Sequence, residues 1–77
     1  IDLILRRGDR LFGIECKRAD APRMTPSLRI AKSDLALERV AVIYPGPRRY
    51  PLAEAVEVVP LAALAEAQDL FEASGNP

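Results

Sequence analysis

The segment that most constrains the fold is the run Arg-Val-Ala-Val-Ile-Tyr at residues 39–44. An uninterrupted apolar run of this kind is typical of a strand that is buried on both faces of a sheet. A helical pattern precedes it, and a strand pattern at residues 10–17 precedes that helix. Because strand, helix and strand form a crossover unit, residues 39–44 are expected to run parallel to residues 10–17. The sequence therefore predicts an α/β fold.

Residues 1–17 are predicted to form an antiparallel hairpin with strands over residues 1–7 and 10–17. Gly8-Asp9 supplies a two-residue turn, and glycine at its first central position suits a type II′ turn. A turn of this length fixes the register, because a slip by one residue would move Asp2 among the hydrophobic side chains. The register predicts an apolar face made of Ile1, Leu3, Leu5, Phe12, Ile14 and Cys16. On this face the cysteine is interpreted as a small core residue.

The remaining elements complete a mixed sheet with helices. Thr25-Pro26 has the residue types of a helix start, an N-cap followed by proline, and predicts a helix to about Leu37. Residues 45–53 are predicted to be a loop, and residues 54–59 a further strand. A final helix is predicted from Pro60. Its apolar stripe is expected to consist of Leu61, Leu64 and Phe71.

The composition restricts the chain to one small domain. Of its 77 residues, 49% are hydrophobic and 29% are charged, which is typical of a globular protein. No apolar run approaches the roughly 20 residues that span a bilayer, so no membrane partner is expected. The absence of histidine excludes His-based catalytic triads within the chain. A single cysteine cannot form an internal disulfide, which favours a reducing, cytoplasmic compartment.

The charges are unevenly distributed along the chain. Residues 1–50 hold all 11 Lys and Arg residues and six acids, giving +5, whereas residues 51–77 hold five acids and no base, giving −5. A basic region can attract a polyanion such as nucleic acid, or it can simply form a solvated, dipolar surface. The weaker candidates for contact with nucleic acid are Arg18, Arg23, Arg48 and Arg49.

The second face of the predicted hairpin brings Asp2 opposite Glu15, with Lys17 two residues further along the same strand. Two directly opposed carboxylates repel unless a cation compensates them. Mg²⁺ takes one or two carboxylates and keeps several waters, and the backbone carbonyl of Cys16 can add a third oxygen. The ammonium of Lys17 can then orient water or offset charge on a phosphate. The alternative is an ordinary charged sheet face in which Lys17 pairs with an acid.

This pattern resembles the PD-(D/E)xK nuclease superfamily, in which an acid at a strand start precedes a strand that ends in Glu-x-Lys. The sequence is similar, more closely, to the C-terminal nuclease-like domain of unknown function that follows an AAA-type ATPase domain in many bacterial and archaeal proteins. Within residues 1–64, the similar stretches are Ile14-Glu15-Cys16-Lys17-Arg18-Ala19, Thr25-Pro26-Ser27-Leu28-Arg29, Leu37-Glu38-Arg39, and Tyr44-Pro45-Gly46 with Tyr50-Pro51-Leu52.

The resemblance implies a restriction-endonuclease-like fold, with Asp2 and Glu15 as ligands of Mg²⁺ or Mn²⁺ and Lys17 as the catalytic lysine. Members of the superfamily often carry a further acid on a helix before the first strand, and no such helix is expected here. Residues 1–77 are accordingly interpreted as the C-terminal part of one nuclease-like domain, without its upstream helix or ATPase domain. No Gly-rich Walker pattern occurs, so the chain is not expected to hydrolyse ATP.

Two functions remain open on the sequence alone. The first is metal-dependent cleavage of phosphodiester bonds by a domain attached to an ATPase. The second is a non-catalytic module that binds nucleic acid or a partner protein, or regulates the ATPase. A core this small also makes a homodimer possible.

Overall fold

The computed structural model describes residues 1–65 and contains one mixed sheet. The strands are β1 (Leu3–Arg7), β2 (Arg10–Cys16), β3 (Arg39–Tyr44), β4 (Tyr50–Ala53) and β5 (Val56–Pro60), and the helices are α1 (Pro26–Asp34) and α2 (Ala62–Ala65). The order in the sheet is β1-β2-β3-β5-β4. β2, β3 and β5 are parallel, while β1 and β4 run antiparallel to their neighbours. The predicted α/β class and the parallel crossover are thereby confirmed.

The hairpin has the predicted register, with Leu3 opposite Ile14 and Leu5 opposite Phe12. Gly8 has φ +65°, as the first central residue of a type II′ turn requires, whereas Asp9 has no positive φ. Alternation along β2 therefore places Phe12 and Ile14 on one face of the sheet and Gly13 and Glu15 on the other.

The core is centred on β3 and β5, which contribute the largest fully buried side chains of the described residues. These are Val40, Val42, Val56, Val58 and Val59. On one face, Leu28 of α1 packs with β3 and β5 residues, and Leu37 joins the same cluster. On the opposite face, Ala63 of α2 packs with Ala41 and Val59. The two-sided burial that the sequence predicted for β3 is confirmed.

Helix α1 begins as predicted but ends earlier than Leu37. Thr25 Oγ1 accepts a hydrogen bond from the Leu28 N–H at 3.1 Å, which caps the first turn. At the other end, the Leu37 N–H donates to the carbonyl of Lys32 and the Ala36 N–H to that of Ser33. This pair of bonds is a Schellman motif, with Ala36 in the left-handed position at φ 52°. The motif stops the helix and turns Leu37 into the core.

The structure corrects three predictions about the hairpin. Leu3 and Leu5 are 51% and 40% exposed, because β1 is an edge strand over which the described helices do not extend. Ile1 packs instead against the cluster on the opposite face, since the chain leaves the strand pattern before Leu3. Cys16 is exposed rather than part of the core, because β1 ends before it can cover this position.

The segment after β3 also differs from its prediction. Residues 50–53, which were expected within a loop, form the edge strand β4, and Glu54 and Ala55 make the turn into β5. The prolines that favoured a loop are compatible with an edge strand, which need not donate every hydrogen bond. Pro60 ends β5 instead of opening the last helix, and Leu61 and Leu64 are exposed. The prediction for Phe71 lies outside the described residues. Within residues 1–65, no helix has the length and apolar character to cross a membrane.

Candidate functional site

The three parallel strands end at one edge of the sheet, and β2 carries the predicted charged residues to that edge. Glu15 and Cys16 are its last residues, and Lys17 follows directly. The Lys17 N–H donates to the carbonyl of Ile43 at 2.8 Å, which continues the pairing between β2 and β3. Open α/β sheets characteristically bind ligands beyond the carboxyl ends of their parallel strands. The predicted site therefore lies where this architecture favours one.

Glu15 is a partly buried carboxylate, 16% exposed, that lies between two cations. Its Oε2 is 3.1 Å from the ammonium of Lys17, and its Oε1 is 3.0 Å from the amino group of Ile1. Oε1 is buried and, among the described residues, accepts no hydrogen bond of good geometry. A carboxylate oxygen in this condition retains lone pairs for another ligand.

Asp2 reaches the same strand end from the other side. Its N–H donates to the carbonyl of Ile14 at 2.9 Å, and its Oδ2 accepts a hydrogen bond from the Cys16 N–H at 2.8 Å. These bonds hold Asp2 at the end of β2, although its bond to the Ile14 carbonyl is shifted by one residue from the hairpin register, in which Ile14 pairs with Leu3. One oxygen of Asp2 is thus directed towards the backbone of β2.

These residues fit a divalent cation that keeps most of its waters. Among residues 1–65, no three His, Cys, Asp or Glu side chains come together as a metal-binding group. Mg²⁺, however, is commonly held by one or two carboxylates together with waters and substrate phosphate. Asp2 and Glu15 would supply such carboxylates, and the backbone carbonyl of Cys16 remains a predicted third ligand. A site enclosed entirely by protein ligands does not fit.

Lys17 lies at the surface of this strand end. Its side chain is 43% exposed, although its ammonium contacts Glu15. An ammonium that is both anchored and exposed can contact a phosphate without losing its orientation. Sequence reasoning placed Asp2, Glu15 and Lys17 together, and the structure brings all three to one strand end.

The arginines that were predicted as weaker candidates for nucleic-acid contact separate into two groups. Arg23, Arg48 and Arg49 line one groove of about 820 Å³. The groove lies between residues 20–24 and residues 44–52. Arg18 is exposed on the connection from β2 to α1, outside the lining of this groove. Residues distant in sequence are therefore neighbours around a single concavity.

Two tyrosines build this groove, and Tyr44 was not recognised in the sequence as a site residue. The Tyr44 hydroxyl accepts a hydrogen bond from the Arg48 N–H at 2.7 Å and donates one to the Arg48 carbonyl at 2.8 Å. The Tyr50 hydroxyl donates to the Pro22 carbonyl at 2.9 Å. The two rings meet edge to face, with centroids 6.2 Å apart. A tyrosine at each boundary of a Pro- and Gly-rich segment was the signal available in the sequence.

One ion pair stabilises the side of the groove that residues 44–52 form. Arg49 lies 3.1 Å from Glu57 of β5, and both side chains are largely buried. Its charge is therefore mostly balanced within the fold, unlike those of Arg23 and Arg48, which are exposed. The sequence did not distinguish Arg48 from Arg49, because the pairing depends on how β4 and β5 align.

Together, the fold and the site define a small α/β domain with charged side chains at the carboxyl ends of its parallel strands. Residues 1–64 match the family described as "Domain of unknown function (DUF4143)". The match covers most of the chain, and the chain belongs to this family.

Two mycobacterial proteins are similar to this chain. It is 42% identical over 60 residues to "Uncharacterized protein Mb2031c" of Mycobacterium bovis and to "Uncharacterized protein Rv2008c" of Mycobacterium tuberculosis. The aligned region is 78% of this chain but 14% of each relative. The chain thus spans a small part of the length of these relatives. No solved structure matches it.

Proposed function

We propose that this domain is nuclease-like and assists metal-dependent hydrolysis of phosphodiester bonds. The observation that carries the proposal is the position of Glu15, a partly buried carboxylate at the end of β2 whose Oε2 is 3.1 Å from the ammonium of Lys17 and whose Oε1 is 3.0 Å from the amino group of Ile1. Asp2, which directly precedes β1, is hydrogen-bonded to the backbone of the two residues on either side of Glu15. Two acids can hold a divalent cation, and a nearby lysine can offset phosphate charge, which suits this chemistry.

Each residue has a separate role in this proposal. Asp2 and Glu15 would hold Mg²⁺ or Mn²⁺, which, when bound, lowers the pKa of a coordinated water and offsets phosphate charge. The Cys16 N–H orients the Asp2 carboxylate through its 2.8 Å hydrogen bond. Lys17 donates to an oxygen of the phosphate and stabilises the charge that develops as the bond breaks.

The proposal extends to the fold family and to the longer protein. The hairpin, the helical crossover and the parallel strand follow the order expected of a restriction-endonuclease-like core. The small share of the mycobacterial relatives that this chain covers leaves ample length for an AAA-type ATPase domain in such proteins. We propose that this domain stands next to an ATPase domain in a cytoplasmic parent protein.

Replacement of Lys17 tests the catalytic role. Lys17→Ala is expected to lower cleavage of DNA or RNA in Mg²⁺ or Mn²⁺ by about 100-fold or more, as when one charge-stabilising donor is removed elsewhere. The matched control is Lys32→Ala, which removes the other lysine of the chain from α1. The assay uses the 77-residue chain and any longer protein that contains it, with thermal melting to verify folding.

The proposed catalysis would be contradicted by equal cleavage with Lys17→Ala and parent, or by no cleavage in either metal. Loss of cleavage in both lysine variants would also count against a specific role for Lys17. Because the Lys17 side chain is exposed on one side, its removal should leave the melting temperature nearly unchanged.

A second candidate is a non-catalytic module that binds nucleic acid or protein. The observation that favours it is the contact of Glu15 with the ammonium of Lys17 at 3.1 Å. This contact supplies a cation to the carboxylate without a metal ion. This module would show salt-dependent nucleic-acid binding that does not change when metal is removed.

A partner protein or a second copy of the chain would instead use the β1 edge. Leu3, Ile4 and Leu5 are exposed there, on a strand with one unpaired side. Sedimentation of the chain across a range of concentrations tests this version, since a dimer must dissociate on dilution.

A further inference from the structure

We propose that the groove between residues 20–24 and 44–52 binds a short single-stranded segment of nucleic acid. This inference rests on the proposed function and names its substrate class, since it supplies a contact surface at the same end of the sheet as Glu15 and Lys17. The recognised chemistry is a planar, mostly apolar base linked to a phosphate. Four features of the groove carry the argument.

Hydrogen bonds from two tyrosines fix the walls of the groove. Both backbone groups of Arg48 are held by the Tyr44 hydroxyl, so the loop after β3 is fixed to the end of that strand. On the opposite side, the Tyr50 hydroxyl holds the Pro22 carbonyl and fixes the connection before α1. Walls that are held by tyrosine hydroxyls lose little entropy when a ligand binds.

The side chains around the opening are positively charged. Arg23 and Arg48 are exposed on the two sides of the groove, and neither forms an ion pair within residues 1–65. Asp20 contributes one opposing charge to the lining. Apart from the Arg49–Glu57 pair, the lining therefore has two positive charges against one negative charge. An anionic ligand is favoured.

The floor of the groove is apolar and includes an aromatic ring. Met24, Tyr50 and Leu52 are partly buried and pack against the main core cluster, so their exposed atoms form a fixed surface. Bases stack on such surfaces with little sequence preference. A phosphate alone would leave this surface without a partner, whereas a nucleotide covers both the floor and the charged rim.

The dimensions fit nucleotide units. A volume of about 820 Å³ lies within the range of about 300–1,000 Å³ that is typical of small-ligand sites. Stacking on the floor requires an unpaired base, because a duplex keeps its bases stacked on each other. The geometry therefore favours a single strand over a duplex.

The test measures binding of a short fluorescent oligothymidylate to the 77-residue chain by anisotropy, with EDTA present throughout. The double variant Arg23→Gln/Arg48→Gln is expected to bind at least about tenfold more weakly. Its slope of log affinity against log salt should be smaller by about 1.4, which corresponds to two phosphate contacts on a single strand. Tyr50→Leu is expected to weaken binding by about 5- to 100-fold through lost stacking.

The matched control is Arg6→Gln/Arg7→Gln, which also removes two exposed arginines. These lie on β1, at the opposite edge of the sheet and at the other end of the parallel strands. At an ionic strength near 0.1 M, charges this remote are screened, so affinity should change by no more than about threefold. Thermal melting of each double variant verifies that the exposed substitutions leave the fold intact.

Three results would overturn the proposal: no binding by the parent chain, equal loss in both double variants, or undiminished binding by Arg23→Gln/Arg48→Gln. Polyglutamate is included as a competitor, and displacement as effective as that by unlabelled oligonucleotide would show an acidic peptide site instead. Glu15→Gln separates this proposal from catalysis. It should retain oligonucleotide binding in EDTA even though a metal site at Glu15 would be lost.

Discussion

The β3–β5 centre of the sheet and the β1–β2 hairpin are stabilised in different ways. In the centre, valines are almost completely buried between two layers, and Val58 is 0% exposed. In the hairpin, β1 leaves Leu3, Ile4 and Leu5 exposed, but Gly8 provides the turn with the residue its positive φ requires. In contrast, the turns that lead into β3 and β5 have alanines at positive φ, Ala36 and Ala55.

This difference shows where local and tertiary forces determine the structure. A left-handed alanine costs about 1–2 kcal/mol, and that cost is tolerated only where surrounding packing exceeds it. Leu37, directly after Ala36, supplies such packing because it is 4% exposed in the main core cluster. The hairpin lacks comparable burial on β1 and depends more on favourable turn chemistry.

The largest predicted effect on stability is that of replacing a buried leucine beside the centre of the sheet, compared with an exposed leucine in the hairpin. Leu37→Ala is expected to lower the free energy of unfolding by about 2–5 kcal/mol, because it opens a cavity in the core. Leu3→Ala, at an exposed edge position, should lower it by less than about 1 kcal/mol. Urea denaturation of both variants measures the two losses. Equal losses of unfolding free energy in the two variants would contradict the difference proposed between the centre and the edge of the sheet.

Substitutions between glycine and alanine at two turns should change the free energy of unfolding in opposite directions, and by less than Leu37→Ala does. Ala36→Gly is expected to raise the free energy of unfolding by about 1 kcal/mol by relieving its left-handed backbone. Gly8→Ala should lower it by a similar amount, since the new methyl group meets no atom within 4 Å and only the backbone is strained. Thermal melting of both variants checks the signs.

Ala31→Gly serves as the control for these turn variants, because Ala31 lies inside α1. There, glycine should lower stability by about 1 kcal/mol. A stabilising effect at Ala31, or a destabilising one at Ala36, would contradict the account of the helix end.

The smallest predicted effect concerns the ion pair that joins the hairpin to the start of β3. Hydrogen bonding and the charge of Arg10 hold the pKa of Glu38 below its ordinary value of 4.5. The folded state thus favours the ionised carboxylate, so its small contribution to stability is present above pH 4.5 and is lost as pH falls through the lowered pKa.

Glu38→Gln should reduce this part of the pH dependence. Melting temperatures of parent and variant are therefore expected to differ at neutral pH and to converge in acid. A difference that grows on acidification would have the wrong sign for this ion pair. Since both side chains are about half exposed, the effect should also shrink at high salt.

The sequence was most informative where side-chain pattern and turn length acted together. The Gly8-Asp9 turn fixed the hairpin register, and the continuous run at residues 39–44 identified the central parallel strand. The exposure of Leu3 and Cys16 was not predictable in this way. Alternation shows on which face of the sheet a side chain lies, but it does not show whether a helix covers that face. β4 was missed because Pro51 is acceptable only on an edge strand, and edge position is a property of the whole sheet.

For the site, the sequence placed Asp2, Glu15 and Lys17 at one end of the hairpin, and the structure has them there. It did not indicate that Glu15 Oε1 would be buried without a hydrogen bond, since this depends on Ile1 folding over the strand. It also gave no sign that Arg23 would lie across a groove from Arg48. That juxtaposition follows from the tyrosine hydroxyls, which fix two connections distant in sequence.

Calorimetric titration of Mn²⁺ into the 77-residue chain, beside Asp2→Asn and Glu15→Gln, tests the central claim most directly. The account predicts a single binding event in the parent that is strongly weakened in both variants, whereas Asp9→Asn, an acid in the hairpin turn, binds as the parent does. Absence of binding in the parent, or equal binding in all four proteins, would contradict a metal site at Asp2 and Glu15. The non-catalytic module would then be the better description of this domain.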